Sequence, residues 1–288
     1  MAQSTYIPWW DAPDITTVVV TPTRLDAYGR CPLHYAEVHQ KRPFDAQNYH
    51  LQRGTYVHAL IHRYNRMVIA GEQPDIDDVL ARIPLPIVLH TGDDREGSLL
   101  DFGRASLRRY KQFLQDREYG ILLAAEQYVR TPGRPVAGVA GAAIVLSGRF
   151  DVIAIPGSAT ACGAHATPAR RVDAIDAASI DCIDIKTTSV AADLPERPSS
   201  FVYDHLARFV HGSACRISLV QWSAATGQTI TARLTDEHIE AGKEVCRSFV
   251  ASTNSQSWPP RAGEWCSHCP IVAHCPCHRG RSGWGTEF

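Results

Sequence analysis

The spacing of hydrophobic positions along this chain changes period twice. Thr16-Thr-Val-Val-Val20 is β-branched throughout and reads as a strand. Thr23 offers an N-cap for a helix that carries Leu25 and Tyr28 and ends near Cys31. From Gly54 a second helix opens, with Val57, Leu60, Ile61 and Tyr64 at the three- and four-residue spacing of one buried stripe. Helical periodicity then persists to about Tyr119. After Gly120 the period shortens, and segments 121–129, 143–155, 179–185, 217–222 and 229–234 predict strands. Between the second and third of these, the Gly-, Ala- and Pro-rich stretch from Pro156 to Ala178 reads as a long hairpin loop. Helices return over 204–210 and 236–250. No internal repeat of solenoid length recurs.

Composition narrows the class without naming a function. With 288 residues, 44% hydrophobic and 20% charged, the chain suits one large globular domain or two small ones. No apolar run approaches the roughly 18 residues that span a membrane. The formal charge is -1, so any contact with nucleic acid must come from a local basic face. Arg104, Arg108 and Lys111 recur at i, i+4 and i+7 and offer such a face, with a plain solvated surface as the other reading. The first ten residues lack a basic run followed by an apolar core, which points to a cytoplasmic protein. No phosphate-binding G-x-x-x-x-G-K-[ST] loop is present, so an ATP-driven motor would have to be another protein.

In a reducing compartment clustered cysteines serve as metal ligands more often than as disulfides. Nine are present: Cys31 stands near the start, and Cys266, Cys269 and Cys275 form C-x2-C-x5-C near the end. Cys162, Cys182, Cys215 and Cys246 are scattered and read as small buried or incidental residues. The terminal set fits a metal clasp. Cys277 or His278 could instead close a local tetrahedral Zn²⁺ site without Cys31.

A second constellation lies in the predicted sheet. Gly148-Arg-Phe-Asp151 occupies one strand and Asp184-Ile-Lys186 another, with Asp184 and Lys186 necessarily on one face. Two carboxylates brought within about 4 Å repel by about 4 kcal/mol at an effective dielectric near 20, so their convergence calls for a proton or a hard cation. Such an ion with a lysine beside it suits phosphodiester hydrolysis, while an Asp–Lys pair on a solvated strand face remains the alternative. His58 and His62 are four apart on a helix, yet residue 59 is Ala, which removes the general base of an H-E-x-x-H protease.

These segments, taken in order, resemble the PD-(D/E)XK nuclease superfamily and specifically its RecB-like iron–sulfur branch, including CRISPR-associated exonucleases, phage relatives and the nuclease domain of AddB. Thr23-Arg-Leu25-Asp-Ala-Tyr28-Gly-Arg-Cys31-Pro32 is similar to that family's S-x-L-x-x-Y-x-x-C-P segment. Gly54-x3-His58, Gly148-x2-Asp151 and Asp184-x-Lys186-Thr187 resemble its histidine, aspartate and lysine motifs, and Cys266-x2-Cys269-Pro-x4-Cys275 its C-terminal motif. The resemblance implies His58, Asp151 and Asp184 as ligands of Mg²⁺ or Mn²⁺, Lys186 as the catalytic lysine, and Glu126 as a further acidic candidate. It also implies a 4Fe-4S cluster on Cys31, Cys266, Cys269 and Cys275. Where the family has Q-x-x-x-Y, this chain offers His205 and Phe209, aromatic candidates for stacking on a base.

The expected architecture is α/β: a restriction-endonuclease-like mixed sheet flanked by helices, with a helical region over 1–120, a nuclease core over 121–255 and a cysteine cluster over 256–288. Cys31 joins that terminal iron–sulfur subdomain. The expected activity is DNA exonuclease on single-stranded DNA or DNA ends, with no membrane partner and with helicase, CRISPR or recombination proteins as possible associates. A non-catalytic DNA-end-binding or assembly subunit and an RNA nuclease are the alternatives.

Overall fold

Long apolar runs in the middle of the chain require cover on both faces, and helices from both ends of the chain provide it. The computed structural model describes residues 16–40, 49–84, 95–157, 179–190 and 192–277. Cys162, His278 and most of the expected hairpin loop, residues 158–178, lie outside the described residues. Strand β1 (Thr16–Val20) leads into helix α1 (Pro22–Arg30). The cap is Thr21, whose hydroxyl accepts from the Arg24 amide, with Pro22 in the first helical position; Thr23 therefore lies inside the helix rather than capping it. Helix α2 (Pro32–His34) continues as a π-helical stretch, Tyr35–Gln40. Helices α3 (Tyr49–Ile69), α4 (Ile76–Ala81) and α5 (Arg95–Asp116) follow, α3 beginning five residues before the expected Gly54.

The sheet is built around β4 (Ala142–Pro156), the longest strand. Its first half pairs in parallel with β1, and its second half pairs antiparallel with β2 (Tyr119–Arg130). The two-residue β3 (Arg134–Pro135) adds to its start. Strand β5 (Ser179–Lys186) pairs antiparallel with β4 through Val152–Ala154 and Asp181–Ile183, then runs parallel to β6 (Arg216–Ser223), with β7 (Thr229–Ala232) antiparallel at the edge. Helix α6 (Pro198–His211) forms the crossover between the parallel strands β5 and β6, and α7 (Asp236–Ser255) follows β7. The result is the expected mixed α/β sheet flanked by helices.

Alternation along β5 and β6 sorts residues into two cores. Ile180, Cys182, Ile217 and Leu219 face α1, α6 and α7, whereas Ile183, Ile185, Val220 and Trp222 face α3, α4 and α5. Val57, Leu60 and Ile61 are fully buried in the second core, each such burial being worth about 1.5–3 kcal/mol. Gly148 permits the closest approach in the first: a Cβ there would sit 2.8 Å from Leu206 and 3.4 Å from Pro22. Its lack of a side chain lets α1 and α6 settle on β4 beside Asp151. Tyr28 ties α1 to α7, its hydroxyl within 2.7 Å of Ser248 and 2.9 Å of Ser252, its ring edge-on to Phe249 and Trp258. The start of the chain is thus held against the segment that leads into the C-terminal cysteines.

Candidate metal centre and cysteine cavity

Strands β4 and β5 stop pairing at Val152 and Ile183, which frees the Ile185 amide; it donates instead to Asp151 Oδ2 at 2.7 Å. The other carboxylate oxygen of Asp151 lies 3.3 Å from His58 Nδ1 on α3. Glu126 on β2 completes the group, with Oε1 3.6 Å from the same nitrogen and Oε2 bound by Arg149 Nε at 2.7 Å. Among the described residues, His58, Glu126 and Asp151 are the set of three metal-ligating side chains whose donor atoms lie within 4.8 Å of one another. Glu126 adopts a left-handed backbone with φ 55°, a conformation that costs a non-glycine residue about 1–3 kcal/mol and collects at functional sites.

His58 Nδ1 is buried with no aligned hydrogen bond among the described residues. A buried nitrogen facing two carboxylates fits a divalent cation, which would satisfy all three groups. Without an ion the imidazole holds a proton instead. Burial alone would lower its pKa, but the close approach of the Asp151 and Glu126 carboxylates outweighs that effect and raises it to about 10.

Asp184 stands outside the close set. Lys186 Nζ lies 2.7 Å from Asp184 Oδ2 and 3.0 Å from Oδ1, and Gln221 Nε2 donates to Oδ2 at 3.0 Å. Burial and the Asp151 charge raise the Asp184 pKa, while Lys186 opposes the rise. The parallel register sets Asp184 opposite Gln221, so the glutamine shares its face. The cleft in front of them, about 210 Å³, is closed by Thr23, Asp26 and Arg30 of α1 and by Ser199 and Tyr203 of α6. Asp26 Oδ1 accepts from the Ser199 amide at 2.9 Å and so caps α6 at the cleft.

Gln221, Ser199 and Tyr203 are residues that sequence reasoning missed. A polar residue inside the apolar run Leu219-Val-Gln-Trp222 was the available signal for Gln221. His205 and Phe209, in contrast, face a separate groove on the other side of α6, while Ser199 and Tyr203, at the same four-residue spacing, line the cleft. Arg104 is held by Asp77 and Asp101 on α4 and α5, whereas Arg108 and Lys111 are exposed on α5.

Cys31, Cys266, Cys269 and Cys275 line one cavity of about 430 Å³, although more than two hundred residues separate the first from the rest. The Arg261 amide donates to Cys31 Sγ and the Gly263 amide to Cys266 Sγ, both at 3.4 Å. Cys277 is exposed beside them, its thiol raised by partial desolvation and by Cys275, Cys31 and Cys266. Cys182, Cys215 and Cys246 are buried elsewhere. Arg30 lines both the cysteine cavity and the cleft, its guanidinium 4.7 Å over the Trp265 ring. No helix among the described residues is long and apolar enough to cross a membrane.

Residues 19–161 match the family model of the PD-(D/E)XK nuclease superfamily. Two solved structures align over most of the chain. One is a Eubacterium rectale protein provisionally named an exonuclease, at 10% identity and TM-score 0.43, covering 100% of this chain and 96% of that one. The other, titled SSO0001, has 15% identity and TM-score 0.36, covering 91% and 86%. Among curated proteins there is no significant match.

Proposed function

We propose that this chain is a metal-dependent nuclease that hydrolyses phosphodiester bonds in DNA, acting on single strands or ends; the match of residues 19–161 supports the PD-(D/E)XK nuclease superfamily as its premise. The observation that carries the reading is the convergence of His58 Nδ1, Glu126 and Asp151 beside the Asp184–Lys186 pair. Those three side chains would hold Mg²⁺ or Mn²⁺, with Asp184 at the edge of the site, and the imidazole favours manganese. A bound divalent cation would neutralise the carboxylates and polarise a phosphoryl oxygen.

The remaining chemistry belongs to the side chains. Lys186, fixed by both oxygens of Asp184, offers its ammonium to the attacking water or to the charge that grows on the phosphate. Gln221 holds Asp184 from the other side and so sets the direction of that ammonium. His58 must give up its proton before its nitrogen can serve as a ligand.

The cysteine cavity supports a structural 4Fe-4S cluster on Cys31, Cys266, Cys269 and Cys275. Cys31 joins the three C-terminal thiols around the same cavity, a set of four thiolates that suits such a cluster, whereas a local zinc site would use the C-terminal thiols without Cys31.

The test is digestion of single-stranded DNA labelled at either end, with Mg²⁺ or Mn²⁺, by wild type and by Lys186→Ala. Wild type is expected to cleave, and the variant to lose about 10²–10³-fold in rate, the usual cost of one transition-state donor. An inactive wild type that still binds DNA would overturn catalysis in favour of an assembly subunit. Equal rates would remove Lys186 from the mechanism.

A further inference from the structure

Helix α6 turns two different faces to two different spaces. Ser199 and Tyr203 border the catalytic cleft, and Phe201, His205 and Phe209, about half a turn away around the helix, border a groove closed by α7 and the start of β4. The groove holds about 380 Å³. Phe209 is 48% exposed at its rim, and His205 packs on Phe201 with ring centroids 5.9 Å apart. Burial, Arg134 and Lys243 together outweigh Asp204 and hold the His205 imidazole below its usual pKa, leaving it a neutral ring.

The charges of the lining are one-sided: Arg134 from β3 and Lys243 and Arg247 from α7 face the groove, and among the described residues no carboxylate does. Lys243 and Arg247 also pair along α7 with Glu240 and Glu244. Arg134 is exposed and has no ion pair among the described residues. An aromatic edge beside an exposed arginine that no carboxylate pairs among the described residues is the combination that holds a base and its phosphate in single-strand binders. The volume suits about one nucleotide at the lower end of small-ligand sites.

We infer that this groove seats one nucleotide of a single strand outside the catalytic cleft, the base against Phe209 and His205 and the phosphate on Arg134. The inference rests on nucleic acid being the substrate. Lys243 and Arg247 extend the phosphate path along α7. A strand held here would be gripped on the far side of α6 from the bond being cut.

Binding of a fluorescein-labelled oligothymidylate, followed by anisotropy in EDTA so that divalent metal is absent, tests this. Phe209→Ala should weaken binding about tenfold while leaving the salt dependence unchanged, because stacking releases no counterions. Arg134→Ala should reduce the slope of log affinity against log salt by about 0.7, one phosphate contact on a single strand. Both side chains are exposed, and far-UV circular dichroism checks that the variants keep the fold. Wild-type affinity and slope in both variants would overturn the groove. Cleavage by wild type alongside that result would leave the nuclease standing, whereas Phe209-dependent binding in a protein that never cleaves would keep the groove and sink the nuclease.

Discussion

The proton on His58 makes metal binding a pH-dependent event. In the metal-free protein Asp151 and Glu126 raise this imidazole to about 10 against its burial, so near neutrality an incoming ion competes with a proton for Nδ1. Apparent Mn²⁺ affinity should therefore rise about tenfold per pH unit through the neutral and mildly alkaline range, with about one proton released at about pH 8. Calorimetry in two buffers of different ionisation enthalpy measures that proton directly. No release would exclude His58 as a ligand. The same shift has a consequence for stability: a group whose folded pKa is raised stabilises fully below its unfolded value near 6.5 and loses that contribution as pH rises through about 10. Metal-free wild type should lose thermal stability over that window, and His58→Gln should lack this part of the fall. Short motifs marked His58, Asp151, Asp184 and Lys186 as candidates, and the fold sets His58 within 3.3 Å of Asp151 and pairs Lys186 with Asp184. Only the left-handed backbone of Glu126 reveals how that residue turns to face His58, and no residue pattern announces it.

Element boundaries depended on contacts that spacing does not encode. Helix α6 was expected from Asp204, yet it begins at Pro198, a residue suited to the first helical position, and its first turn packs against α1 through the Asp26 cap. Strand β3 has two residues and pairs only because β4 runs past it, so no alternation could betray it. The placement of His205 and Phe209 needed the helix's rotation about its axis, which tertiary packing sets. Gly242 shows how that rotation is fixed. It lies inside α7, where Ala would gain about 1 kcal/mol in helix propensity. A Cβ there would sit 2.3 Å from Phe201 Cβ and 2.5 Å from its Cγ, and atoms so close to the α6 backbone cannot swing aside. Gly242→Ala should therefore destabilise the protein by a net 1–3 kcal/mol or so, the usual cost of overpacking. A higher melting temperature in that variant would mean that the two helices separate easily.

The molecule as a whole brings the end of α1 and the segment 261–275 to one cavity, and packing achieves part of this without any cluster. Leu25 and Tyr28 are buried against the sheet and α7, while Tyr35, Phe249 and Trp258 form an aromatic group around Tyr28. Cys31 follows three residues after Tyr28, and Cys266 lies eight after Trp258, so the anchors fix where the thiols can meet. A cluster spanning them would close a loop of more than two hundred residues, and by analogy with disulfides such a constraint is worth up to about 5 kcal/mol. Because the aromatic anchors already restrain both ends, the expected loss on Cys31→Ala is smaller, about 2–4 kcal/mol, accompanied by loss of colour, iron and acid-labile sulfide. Cys277→Ala should keep all three, since that thiol is exposed and does not line the cavity. The opposite pattern, with iron retained by Cys31→Ala and lost by Cys277→Ala, would mean that the C-terminal thiols bind metal by themselves and that α1 is held to α7 by packing alone.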